Sequence, residues 1–161
     1  METSAEQPMR PSDLLDAVGP AFSRLRRAAA LNVERPVSRK DLTRTLVLNI
    51  VAEGPGPDGR EITVGVVGER LAVDPSVASR MVSDCITAGH LARAASQEDG
   101  RRTILELTAK GEETLALFRR HQRSAFERIT ADWTEPERLE FARLLIKYVD
   151  SVAALQPSTE A

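Results

Sequence analysis

The sequence predicts a mainly α-helical fold with one small β-hairpin. Three observations predict it. Apolar residues recur at spacings of three and four along most of the 161-residue chain, the mark of helices with one buried face. Two short runs, residues 91–95 and 103–107, read instead as strands, and the charged SQEDGRR between them reads as a hairpin tip. Helix-starting signals stand where the pattern needs them: Asp74-Pro75, Thr108 and Thr134-Glu135-Pro136-Glu137.

Taken in order, residues 1–11 are polar with two prolines and are expected to be disordered. A first helix is expected from Ser12, acting as its cap, with Leu14, Val18, Phe22, Leu25 and Ala29 on one face. Pro20 removes a backbone hydrogen bond, so a bend is expected at Gly19-Pro20. A linker ends at Pro36. The second helix is expected over about 38–53, with Leu42, Leu46 or Thr45, Asn49 and Ile50 inward. EGPGPDG then turns the chain, and residues 61–63 could add one very short strand. A third helix over about 63–71 contains Gly65 and Gly68, each costing roughly 1 kcal/mol against alanine, which a close helix crossing would explain.

The turn AVDPS leads to a fourth helix capped by Asp74, with Val77, Met81, Val82, Cys85 and Ile86 inward and Gly89 as its stop. After the hairpin, Thr108 caps a long helix whose stripe is Leu115, Phe118, Ala125 and Ile129. A capping box at Thr134 opens a last helix to about Leu155. Its apolar set (Leu139, Ala142, Leu144, Leu145, Ile146, Tyr148, Val149, Val152) spans so much of its circumference that it needs more than one neighbour. Residues 156–161 read as a disordered tail.

Composition narrows the function. The net charge is −2 and aromatics are 4%, which disfavours a protein that coats nucleic acid by bulk charge or stacks on single-stranded bases. A local basic surface remains compatible with that balance. No apolar run approaches the ~18 residues of a membrane span, and the N-terminus lacks the apolar region of a signal peptide. The single cysteine, Cys85, permits no internal disulfide and fits a cytoplasmic protein. Two histidines and one cysteine without ligand spacing argue against a metal centre, and no nucleophile–base pair or phosphate loop supports an enzyme; no cofactor is expected.

The middle of the chain reads helix, turn, helix, hairpin, which is physically a winged helix-turn-helix. One helix fits the major groove and the hairpin reaches sideways to the backbone or the minor groove. Ser76, Ser79, Arg80 and Ser83 lie at helical spacing opposite the apolar stripe. Small hydroxyls let the helix approach DNA closely, and Arg80 can bond guanine bidentately. The hairpin tip carries Arg101 and Arg102, which add nothing to hairpin stability but suit a narrow, strongly negative minor groove. Asp99 can hold that tip by accepting from backbone amides or by pairing with an arginine.

The run Asp99, Gly100, Arg101, five residues, Leu107-Thr108, two residues, Gly111 resembles the D-x-R-x₅-L-T-x₂-G signature of the MarR family of winged-helix transcription regulators. Residues 63–93 resemble the family's helix–turn–reading helix–strand segment, with GHLAR where the family enters its first wing strand. Gly68 stands where the family commonly has alanine, Ala72 replaces a turn glycine, and Glu98 adds negative charge to the wing. The resemblance implies a homodimer of interlocking terminal helices, organised as a disordered arm (1–11), an N-terminal dimerisation helix (12–36), a DNA-binding lobe (37–108), C-terminal dimerisation helices (109–155) and a tail (156–161). The flanking helices point the same way independently, because their apolar residues exceed what a lobe of this size can cover. Two reading helices imply a pseudopalindromic DNA site with half-sites ~10 base pairs apart.

The resemblance further implies a repressor released by a small phenolic or anionic effector. Arg24, Arg26, His121 and Arg123 are the candidate ligand residues. Cys85, on the apolar side of the reading helix, reads as packing rather than as the oxidation sensor that the resemblance also admits, because a buried thiol is inert. The rival reading is a winged helix used for protein–protein contact, which Glu98-Asp99 favours.

Overall fold

The computed structural model describes residues 10–29, 39–56 and 59–155. Residues 1–9 of the arm expected to be disordered over 1–11, the tail 156–161 and the linker ending at Pro36 lie outside them, whereas Arg10 and Pro11 of that arm are ordered as the cap and first residue of a helix, proline suiting the first helical position. The elements are α1 (Pro11–Asp16), α2 (Val18–Ala29), α3 (Arg39–Glu53), α4 (Val64–Leu71), α5 (Pro75–Thr87), β1 (Leu91–Ala95), β2 (Thr103–Leu107), α6 (Ala109–Ile129) and α7 (Glu135–Leu155). The protein is thus mostly helical with one antiparallel hairpin, a winged helix-turn-helix lobe flanked by terminal helices. No helix among the described residues is long and apolar enough to cross a membrane.

The core lies within the lobe. Val47, Leu48 and Val51 of α3 meet Val66 and Val67 of α4, Val82 and Cys85 of α5, Leu91 of β1 and Leu105 of β2. Leu115 is the residue that α6 adds to this core. The hairpin pairs Leu91 with Leu107 and Ala95 with Thr103. Residues 61–63 form no strand. They contribute one ladder-like bond, in which Leu105 N donates to Ile62 O at 2.8 Å.

Several expected details shift, each for a local reason. The first helix starts at Pro11 with Arg10 at the cap position, so Ser12 is not its cap. The break falls at Ala17, ahead of Gly19-Pro20, because proline clashes with the carbonyl four residues before it while its own missing N–H costs nothing in the first turn of α2. On α3, Thr45 and Ile50 are buried as expected, but Leu42 and Leu46 are exposed and Asn49 is half-buried. Apolar residues of that helix are not confined to one stripe, and the row through Val47, Leu48 and Val51 takes the core.

On α5, Met81, Val82, Cys85 and Ile86 face the core as expected, but the fully buried row is Ala78, Val82 and Cys85, and Val77 is exposed. Gly68 fixes this rotation: a Cβ there would lie 3.1 Å from the Ala78 Cβ, so α4 and α5 cross where both side chains are minimal. Gly65 has no such neighbour, since its Cβ would meet only Thr63 Oγ1 at 3.6 Å. Asp74 occupies the cap position of α5, yet its carboxylate caps nothing; its carbonyl accepts from Val77 and Ala78. Ile129 is exposed at the far end of α6, beyond the lobe.

The turn between α4 and α5 stores backbone strain. Ala72 closes α4 at φ 51°, ψ 48°, the left-handed region that glycine adopts freely and a Cβ resists. Ala72→Gly is therefore expected to stabilise the lobe by about 0.5–1 kcal/mol, the relief of strain outweighing the extra freedom of the unfolded chain. Denaturant unfolding reads this directly, and a less stable glycine variant would contradict it.

Candidate nucleic-acid interface

With Ala78, Val82 and Cys85 turned inward, α5 presents Ser76, Ser79, Arg80 and Ser83 together on its exposed side. The helix is held against α3 by charge as well as by packing. Arg44 Nε donates to Asp84 Oδ2 at 2.6 Å, and Lys40 Nζ lies 2.9 Å from Asp84 Oδ1. These hydrogen bonds, Arg44 first and Lys40 second, hold the Asp84 carboxyl below the usual carboxylate range, and its bond to Asp84 raises the Arg44 guanidinium further. Sequence reasoning missed this clamp, because nothing local pairs residues forty positions apart.

The other end of α5 is fastened to the start of α6. Thr108 caps α6 as expected, accepting from Gly111 N at 3.1 Å while donating its hydroxyl to Gly89 O at 2.7 Å. Lys110 Nζ donates to Ala88 O at 2.7 Å, and Thr108 N to His90 O at 3.1 Å. Cys85 is fully buried here, and burial pushes its thiol up to about 11, which suits packing rather than reactivity.

The hairpin tip is fixed by its own backbone. Asp99 Oδ1 accepts from Arg101 N at 3.0 Å, and Asp99 O accepts from Arg102 N at 2.8 Å. Of the two ways Asp99 could hold the tip, the structure has the backbone one. Ser96 N donates to Arg102 O at 2.9 Å and closes the loop. Both arginines are exposed. Among the described residues, no hydrogen bond or ion pair engages the guanidinium of Arg80, Arg101 or Arg102. The contrast with Arg44 is chemical: one cation is committed to a carboxylate, and three are left for an external anion.

Arg24 and Arg26 on α2 and His121 and Arg123 on α6 are all exposed. Arg123 pairs with Glu127 at 2.9 Å, and no bond among the described residues joins the α2 pair to the α6 pair. The described residues contain no cluster of His, Cys, Asp or Glu able to hold a metal.

Comparison with known proteins follows the same outline. The MarR family model matches residues 37–102. Among solved structures, that of MarR aligns over 96% of this chain and 97% of its own, at 20% identity and a TM-score of 0.66. The PcaV transcriptional regulator from Streptomyces coelicolor, in complex with its natural ligand, aligns over 89% of this chain and 99% of its own, at 25% identity and a TM-score of 0.56. The YusO protein from Bacillus subtilis aligns over 88% and 99%, at 18% identity and a TM-score of 0.58. No curated protein sequence matches the chain. Residues 37–102 are thus similar to the MarR family, and the chain that carries them has the fold of the MarR-family transcription regulators.

Proposed function

We propose that the chain works in the cytoplasm as a homodimeric, sequence-specific binder of double-stranded DNA, a repressor that a small phenolic or anionic effector releases. The observation that carries this reading is the set of unpaired guanidiniums of Arg80, Arg101 and Arg102 on elements that are themselves tightly held. An arginine without an internal partner has no ion pair to break when it meets a phosphate or a base edge, and a rigid support adds no backbone ordering cost to that of the side chain. Ser76, Ser79 and Ser83 let α5 approach the major groove, with Arg80 reading guanine. Arg101 and Arg102 enter the minor groove or meet its phosphates, with Asp99 holding their loop. Two such lobes address a pseudopalindromic site. The effector binds where the terminal helices meet the lobe, and Arg24, Arg26, His121 and Arg123 are the residues offered for it.

The test is a titration of the purified protein against the DNA upstream of its own gene at several salt concentrations. Binding should fall steeply with salt, and Arg101→Ala should weaken it by about 10-fold while lowering the salt slope by about 1. Binding indifferent to both sequence and Arg101 would favour a protein–protein module instead, the reading that Glu98-Asp99 supports.

A further inference from the structure

The wing is anchored by a side chain that no signature points to. Ser96 directly follows β1 and is only 4% exposed, yet its hydroxyl makes three hydrogen bonds. It donates to Glu61 Oε2 at 2.5 Å and accepts from Glu98 N at 3.1 Å and Asp99 N at 3.0 Å. A serine hydroxyl has one donor and two acceptor sites, so this one is saturated. Glu61 sets its direction: by taking the proton, the carboxylate leaves both lone pairs for the amides that begin the tip.

Glu61 stands just before α4, and its neighbour Ile62 accepts from Leu105 of β2. The segment 61–62 therefore ties the wing to the helix-turn-helix at two points, one on the strand and one on the tip. We infer that Glu61 and Ser96 are positioning residues for DNA binding, which aim the guanidiniums of Arg101 and Arg102 relative to the reading helix. The inference rests on the DNA-binding reading above. Neither residue touches DNA; both act through the shape of residues 96–102.

The sign of the Glu61 effect separates this role from simple charge. Removing a carboxylate near a DNA-binding wing lessens repulsion and on that ground strengthens binding. Positioning predicts the reverse for Glu61→Ala, which removes the acceptor. Glu61→Gln removes the same charge but keeps an oxygen that can accept from Ser96.

In the full-length protein, Glu61→Ala and Ser96→Ala are each expected to weaken DNA binding by about 5–10-fold, as the binding-competent wing becomes a minor state. Glu61→Gln should restore binding to the parent level or better. In an Arg101→Ala/Arg102→Ala background, Glu61→Ala should have no further effect. Amide hydrogen exchange, measured without DNA, should quicken at Glu98 and Asp99 in Glu61→Ala and Ser96→Ala and stay slow in Glu61→Gln. Unchanged exchange in Glu61→Ala, tighter DNA binding by it, or an equal loss in both backgrounds would overturn the inference. A parent protein that ignores DNA but shows the expected exchange pattern would locate the failure in the DNA-binding reading and leave Glu61 and Ser96 as the anchor of a wing with another use, overturning their role in DNA binding.

Discussion

Gly111→Ala is expected to lower the stability of the protein by about 2–4 kcal/mol, with a drop in melting temperature on the order of 10 °C. A Cβ at this position would collide with the carbonyl oxygen of His90 and lie 3.0 Å from Leu107 Cδ2. The first of these is backbone, which cannot rotate aside as a long side chain can. The His90 carbonyl is also held in place by the Thr108 N–H at 3.1 Å. In a helix, glycine gives up about 1 kcal/mol relative to alanine, so the chain carries that cost in exchange for the close approach. Forcing the backbones apart would also lengthen the bonds from Lys110 to Ala88 and from Thr108 to Gly89, which join α6 to the end of α5, the proposed reading helix. Weaker DNA binding should therefore accompany the loss of stability. Gly65→Ala is the control: its Cβ meets ordinary space, and this variant should match or exceed the parent protein in stability. Calorimetry of the two variants decides the matter. A Gly111→Ala protein that melts with the parent would show that α6 does not press on His90.

The fate of each sequence expectation follows from how local its cause is. Thr108, Gly89 and the two strands were legible because caps, left-handed glycines and alternating runs act over a few residues. The signature residue Gly111 was legible as a motif position, whereas its reason lies in contact with a carbonyl twenty-one positions earlier. The inward faces of α3 and α5 were legible in part: Thr45, Ile50, Met81, Val82, Cys85 and Ile86 turn inward, while Leu42, Leu46 and Val77 are exposed and Val47, Leu48, Val51 and Ala78 take core places that periodicity did not single out. Periodicity leaves the exact rotation of a short helix open, and on α5 the Gly68–Ala78 crossing decides it. The exposed serines of α5 and the tip arginines could be named from spacing, since an outward face is the complement of an inward one. The clamp from Arg44 and Lys40 to Asp84 and the anchor from Glu61 to Ser96 could not, because each joins residues at least thirty-five positions apart.

Charge placed on α7 is expected to have the largest effect on function. Among the described residues none of α7 is buried, although the helix carries Leu139, Leu144, Leu145, Ile146, Val149, Val152 and Leu155. Its described contacts are aromatic and few: Tyr148 stacks on Phe22 at 5.4 Å, and Phe141 lies between Phe126 and Trp133. Leu14, Leu15 and Leu25 of the N-terminal helices are exposed as well, and a monomer rarely leaves so many large apolar side chains to solvent without a partner surface. A second copy covers them under the two-fold reading, at about 800 Å² or more per subunit. Leu145 and Val149 stand one turn apart and are 45% and 57% exposed, so glutamates there cost the isolated subunit little. Across a dimer interface the same glutamates would be buried without partners, at several kcal/mol. Leu145→Glu/Val149→Glu should therefore sediment as a monomer where the parent is a dimer, with its helical content kept because the lobe core draws nothing from α7. Affinity for a two-half-site DNA should fall by about 10²-fold or more, as the second lobe no longer binds at the high effective concentration that the first provides. A variant that remains dimeric, or a parent protein that is monomeric while binding the full site tightly, would remove the two-fold reading. Equal loss of affinity for a single half-site would do the same, since an isolated lobe with Arg80, Arg101 and Arg102 intact should bind that half-site as the parent does.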